Sequence, residues 1–237
     1  MNVWVYWQGY KAPYIDLCIT TIKKYSNGLN FVLLDDNSIT KYLNLPATYT
    51  KLSVVHRADY IRVALIHKYG GIWLDADTIV LKPLIKYTKF LDKYKFLSFG
   101  KPRSPQTAIV AGRSDSAILF WWFNYIHRKI NESNITWGDL GPIALKSILK
   151  NAQHVNNLKR DREYYNIPPE YCAPIPCKDW KRFLSNRVIE NDIVPKNVGF
   201  VMLYNRFMKY KLGRYDKDYL LKSDILISKL FRRSLKL

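Results

Sequence analysis

Acidic residues are scarce in this chain. Nineteen Asp and Glu stand against 38 Lys and Arg in 237 residues, a formal net charge of +19. A surplus of that size attracts polyanions such as nucleic acid, anionic lipid or phosphorylated ligands, without choosing among them. Cysteine is scarce too. Cys18, Cys172 and Cys177 are an odd set, too few for a disulfide framework. The stretch "CAPIPC" has no His or Cys partners at zinc-ligand spacing, so it reads as structural and reduced. Long apolar runs are missing: the densest, "AILFWWF", has seven residues, far short of the roughly 18 that a membrane span needs. The opening "MNVWVYWQGYKAP" lacks a basic stretch followed by a long apolar run and reads as a strand, not a signal peptide. A reducing, cytoplasmic setting is the expectation. Repeats, low-complexity tracts and linkers are absent as well, so one domain over 1–237 is expected.

What is present reads as alternating strands and helices. "VWVYW" (3–7) is β-branched and aromatic, a strand ended by Gly9. Residues 14–25 place Ile15, Cys18, Ile19 and Ile22 on one helical face, with Gly28 after them. "FVLLDD" (31–36) predicts a second strand and "SITKYLNL" a short helix. Ser53 is a candidate N-cap for "VVHRADYIRVALIHKY", which Gly70 and Gly71 end. "IWLDAD" predicts a third strand, and "TIVLKPL" continues extended to Pro83. Strand, helix, strand, helix implies an α/β fold with a parallel sheet. Residues 95–112 read as strands and loops, 115–130 as an aromatic-rich helix, and "WGDLGP" (137–142) as a turn before another helix. Residues 151–197 show no clear period. The last twenty residues read as helical and basic.

The segment "KYGGIWLDADTIVLKP" (68–83) carries Asp75 and Asp77 inside an apolar run. Ionised carboxylates are costly to remove from water unless something pairs with them. In extended backbone, alternation sends Asp75 and Asp77 to one face and Ala76 to the other. Two carboxylates facing one volume suit a divalent cation such as Mn²⁺ or Mg²⁺, whose ligand shell includes phosphate oxygens. Open α/β sheets bind ligands at the C-terminal ends of their strands, and "DAD" would be such an end. The other reading of the pair is a turn or helix cap. On the preceding helix, Asp59 and Arg62 are three apart and share a face.

"HRADYIRVALIHKYGGIWLDADTIVLKPL" resembles the core signature of DXD-type glycosyltransferases, the group of capsular-polysaccharide enzymes, yeast-type mannosyltransferases and clostridial-toxin sugar-transferring domains. "VWVYWQGYKAPYIDLCITTIKKY" and "FVLLDDNSITKYL" resemble that group's opening. The resemblance is good over 1–84, patchy over 115–150 and weak beyond. It implies a GT-A-like fold: a mixed, mostly parallel central sheet flanked by helices, with a Rossmann-like nucleotide-binding half over 1–84. An acceptor and metal-completing half over 85–217 and a basic C-terminal helix over 218–237 would follow. It also implies a nucleotide-sugar donor (a UDP-sugar favoured over a GDP-sugar), a glycan hydroxyl as acceptor, Mn²⁺ or Mg²⁺, and retention of anomeric configuration. Carried over, Asp77 binds metal, Asp75 meets ribose and metal, and Ala76 lies between them in the donor site. Asp59 and Arg62 hold the donor sugar, and Tyr6 with Trp7 line the base pocket. Many members carry a histidine–leucine–tryptophan–asparagine stretch near the C-terminus. Here "VMLYN" takes that place, with Met202 for the histidine and Asn205 as the remaining oxygen donor. "WGDLGP" resembles the family's glycine–proline turn facing donor sugar and acceptor, so Asp139 either holds a sugar hydroxyl or steadies the acceptor as a catalytic residue, or else caps the next helix.

In the tail "DYLLKSDILISKLFRRSLKL", Leu220, Ile227, Leu230 and Phe231 can share a face flanked by basic residues. It either packs on its own domain or lies on anionic lipid as a peripheral contact, never inserted. Two other functions are consistent with the charge and the aspartates: a basic nucleic-acid-binding protein, although no specific nucleic-acid motif is present, and a metal-dependent phosphohydrolase. The residues leave the oligomeric state open.

Overall fold

The strand β1 (Asn2–Tyr6) explains why the sheet has two faces. Val3 and Val5 point to one side and Trp4 and Tyr6 to the other, and all four are buried. In this computed structural model, which describes residues 1–101, 103–132, 134–154 and 162–237, β1 is flanked by two parallel neighbours. The first, β2 (Asn30–Leu34), is reached through helix α1 (Pro13–Tyr25). Pro13 opens that helix where no intrahelical N–H is needed. Its buried stripe includes Ile15, Cys18, Ile19 and Ile22.

Two short 3₁₀ turns, Ser38–Lys41 and Ala47–Lys51, lead to α2 (Val54–Tyr69). Ser53 caps it as expected, its hydroxyl accepting from the His56 amide at 3.3 Å. The helix ends at Gly70, and β3 (Gly71–Leu74) turns back beside β1. Gly71 has φ +119°, and a Cβ there would sit 2.5 Å from the Asn2 carbonyl oxygen. Only glycine permits that approach.

The chain then runs through β4 (Thr78–Val80), α3 (Ile85–Leu91), the hairpin β5 (Phe96–Lys101) and β6 (Ser104–Gly112), α4 (Ala117–Lys129) and α5 (Pro142–His154). The strand β7 (Tyr164–Ile167) follows, then 3₁₀ segments at Pro169–Tyr171 and Cys177–Leu184, and α6 (Glu190–Ile193). The last elements are β8 (Phe200–Met202), α7 (Asn205–Leu212), α8 (Lys217–Lys222) and α9 (Leu226–Leu235). The main sheet has the order β2-β1-β3-β6-β5-β7, with β6 alone antiparallel to its neighbours. This is the expected α/β fold with a mixed, mostly parallel sheet. A small second sheet pairs β4 with β8, antiparallel.

Each face of the sheet carries its own core. One gathers Val3, Val5, Ile72 and Leu74 with α1 and the C-terminal helices; the other gathers Trp4, Tyr6 and Trp73 with α2, α4 and α5. Residues as distant as Val3 and Phe231 share the first cluster. The tail therefore takes the packing alternative. Leu220, Leu226, Ile227, Leu230 and Phe231 are fully buried, so the stripe that could have faced lipid is core. Arg232 donates to the carbonyls of Leu221 and Ser223, and Arg233 to Glu190 and the Val194 carbonyl. Among the described residues no helix is long and apolar enough to cross a membrane.

Candidate active site

The parallel strands β1 and β3 carry their C-terminal ends to one side, and the chain leaves them in different directions. That divergence opens a cleft of about 900 Å³, a size suited to a small-molecule site. Its lining includes Tyr6, Trp7, Asp59, Arg62, Asp75, Ala76, Asp77, Met202 and Asn205. Eight of the nine residues expected at a donor or metal site therefore border one volume. The exception is Asp139. Its carboxylate accepts from the Thr136 amide at 2.8 Å, closing a local turn, and it does not line the cleft. That bond and nearby positive charge hold its pKa below the usual carboxylate range.

Asp75 and Asp77 do not alternate along a strand, as extended backbone would have it. The strand ends at Leu74; residues 75–77 form a turn in which the Thr78 amide donates to the Asp75 carbonyl at 3.1 Å. The cause lies in pairing. The Asp75 amide still donates to Ala108 of β6 at 2.8 Å, but by Thr78 the chain has left to pair with β8. The turn brings the two carboxylates into the cleft by a different route from pleating.

Arg62 organises the carboxylates. It is buried on α2, donates to Asp75 at 2.8 Å and pairs closely with Asp59. Its guanidinium lies 5.3 Å from the centre of the Trp73 ring. The Trp73 indole N–H also donates to Asp75, at 2.7 Å. Asp75 Oδ1 thus receives two donors. Burial pushes the Asp59 carboxyl up despite the adjacent guanidinium. Burial acts against the charge of Arg62, but Asp75 and Asp59 outweigh it and raise its pKa. Gly141, in the turn before α5, completes this arrangement, because a Cβ there would lie 2.9 Å from Asp59 Oδ1.

Asp77 is half-buried, and its Oδ2 accepts from the Asn205 amide at 2.7 Å. Burial first, then the Asp75 charge, raises its pKa to about 6. Three carboxylates with one guanidinium leave negative charge uncompensated here, and the donors are hard oxygens. That set fits a divalent cation such as Mn²⁺ or Mg²⁺. Among the described residues there is no cluster of three His, Cys, Asp or Glu that would complete a shell by itself. The Asn205 side-chain oxygen already accepts from the Tyr14 hydroxyl. Tyr204, just before it, has φ +59°, strained backbone at the edge of the cleft.

At the end of β1, Trp7 is half-buried and its indole N–H donates to the Tyr10 carbonyl at 3.2 Å. Tyr6 is committed elsewhere. Its hydroxyl donates to Asp36 at 2.7 Å, as does that of Tyr49, while Arg57 pairs with the second Asp36 oxygen at 2.6 Å. His67 lies outside the cleft lining and stacks on Phe123 with ring centres 5.0 Å apart.

Residues 1–130, more than half the chain, match the family described as capsular polysaccharide synthesis protein. The chain belongs to that family. Among curated relatives, lactosylceramide 4-alpha-galactosyltransferase of Rattus norvegicus is 31% identical over 139 residues, covering 54% of this chain and 34% of the relative. Alpha-1,4-N-acetylglucosaminyltransferase of Homo sapiens is 24% identical over 158 residues, covering 64% and 44%. The chain thus spans about a third to under half the length of these two relatives. Among solved structures, a glycosyltransferase involved in glycosylation of the PBCV-1 major capsid aligns with a TM-score of 0.48 at 15% identity, over 86% of this chain and 93% of that one.

In this member of the capsular polysaccharide synthesis family, four contributors escape a reading of the sequence alone. Trp73 had a usable signal, because residues two apart on a strand share a face and Trp73 precedes Asp75 by two. Gly141 had a weaker one, a glycine beside a proline in a short turn. Tyr14 and Asp36 had none, since their partners lie 191 and 30 or 13 residues away.

Proposed function

We propose that the protein is a metal-dependent glycosyltransferase that moves a hexose or deoxyhexose from a UDP-sugar to a glycan hydroxyl with retention of configuration. The observation that carries this reading is the Asp59–Arg62–Asp75 chain in the wall of a cleft that Asp77 and Trp7 also line. Family membership and the names of the curated relatives support the sugar-transfer part.

Trp7 offers a flat aromatic surface at the end of β1 for a base, and the nearby backbone can bond the base edge. Asp75 and Asp77 would hold the cation, with Asn205 beside them. Bound there, it would neutralise the diphosphate as the glycosidic bond breaks. Asp59, fixed by Arg62, meets the hydroxyls of the donor sugar. The three carboxylates lining the cleft, Asp59, Asp75 and Asp77, are all engaged by protein donors. With these carboxylates assigned to the cation and the donor sugar, none is clearly placed as a nucleophile, which favours a front-face route with retention.

Thermal-shift measurements with UDP, GDP and CMP sugars, with and without Mn²⁺, test the reading. The expected result is stabilisation by a UDP-sugar that depends on the cation. Stabilisation by GDP-sugar alone would move the donor assignment, and release of phosphate from simple esters without sugar transfer would replace it with a phosphohydrolase.

A further inference from the structure

Two segments begin in the wall of the cleft and carry positive charge away from it. The first, 177–187, starts at Cys177; the second, 204–215, starts at Tyr204 and Asn205, and all three of these residues line the cleft. The segments meet where Trp180 stacks on Phe207, ring centres 5.3 Å apart and planes within 2°. Together they hold Lys178, Lys181, Arg182, Arg187, Arg206, Lys209, Lys211 and Arg214 against a single carboxylate, Asp179. All eight cations are exposed, and none has a carboxylate partner among the described residues.

The surface has order as well as charge. Met208 and Leu212 anchor α7 in the core, leaving Arg206, Lys209 and Tyr210 outside on neighbouring positions. The Arg206 guanidinium lies 4.6 Å from the Phe207 ring centre, and the Lys209 ammonium 4.7 Å from that of Tyr210. Resting on aromatic faces, these cations keep defined positions. At about 1.5 Å per residue, α7 extends roughly 12 Å from the cleft.

We infer that this surface is the binding track for an acidic polysaccharide acceptor whose growing end enters the cleft. The inference rests on the glycosyltransferase reading and adds the acceptor's chemistry to it. Cations complement the negative groups of such a glycan, and the exposed Tyr210 ring suits a sugar ring. Continuity of both segments with the cleft wall favours a glycan over a lipid surface or a nucleic acid, because the ligand on the track is then the one that reacts.

The test uses the full chain and four probes: polygalacturonate, neutral dextran, phosphatidylglycerol vesicles and single-stranded DNA. Arg206→Ala/Lys209→Ala is compared with Lys146→Ala/Lys150→Ala, which removes two exposed charges from α5, on the other face of the sheet. Polygalacturonate is expected to bind in preference to the other three, weakening with salt. It should bind at least tenfold more weakly to the first variant and unchanged to the second. Equal losses in both variants, or equal binding of dextran, would overturn the track. Vesicles or DNA bound as tightly, with the same dependence on Arg206 and Lys209, would overturn the glycan assignment. UDP-sugar hydrolysis in the same preparations keeps the two readings apart. Turnover without polygalacturonate binding sinks only the track; binding without turnover sinks only the activity.

Discussion

At the scale of single residues, Asp36 bears on stability and Gly141 on the site. Burial opposes ionisation of Asp36, but the Tyr6, Tyr49 and Arg57 donors outweigh it and hold its pKa below the usual value. A depressed folded pKa means stability that is complete above the unfolded value, near 3.9, and lost as pH falls through the folded one. Asp36→Asn should therefore cost about 2 kcal/mol at pH 7, from weakened charge-assisted bonds. Urea unfolding from pH 7 to pH 3 checks it: the gap from wild type should hold above about pH 5 and narrow below about pH 4. A gap that widens in acid would contradict this account of Asp36. Gly141→Ala should push the new methyl into Asp59, lowering stability by about 1–3 kcal/mol and sugar transfer with it. Unchanged turnover would show that Asp59 has no fixed position to lose. Trp7→Ala should weaken UDP by about 1–3 kcal/mol, the usual worth of a stacked base, measured by calorimetry with UDP alone. The residue types of the site were legible in sequence; their partners were less so. Asp59 and Arg62 share a helical face by arithmetic, but the Arg62–Asp75 bond depends on how α2 packs against β3, which no local spacing encodes.

At the scale of elements, the first three strands and two long helices follow their sequence patterns closely. Val3 and Val5 alternate with Trp4 and Tyr6 in β1, the apolar stripe of α1 recurs at helical spacing, and Ser53 starts α2. The departure comes at residues 75–77, where a strand was expected and a turn is found. A strand exists only where a neighbour pairs with it, and the partner of β4 is β8, over a hundred residues later. The tail illustrates the same limit. Its amphipathic pattern fits lipid or core equally, and only the tertiary structure shows α9 buried against α1 and β4. Phe231→Ala should cost about 3–5 kcal/mol, as expected for a fully buried aromatic, seen as a lower midpoint in thermal unfolding. A loss within about 0.5 kcal/mol, the range of surface changes, would mean that α9 is not part of the core.

At the scale of the whole molecule, two features combine. An α/β sheet opens at the C-terminal ends of β1 and β3, and the opening holds three carboxylates, the Arg62 guanidinium and, exposed in its wall, Lys101. Around it the chain is strongly basic. Composition alone announced the charge without saying where it would gather; the fold places eight cations on two segments that leave the cleft together. A negatively charged centre within a basic molecule suits an anionic donor held through a cation. The most direct measurement is release of UDP from a UDP-hexose by wild type and by Asp77→Asn, with Mn²⁺ and with excess EDTA. The account predicts release by wild type with Mn²⁺ only, and none by the variant, which unfolds at the same temperature as wild type because the amide oxygen still accepts from Asn205. Undiminished release by Asp77→Asn, or by wild type in EDTA, would contradict it.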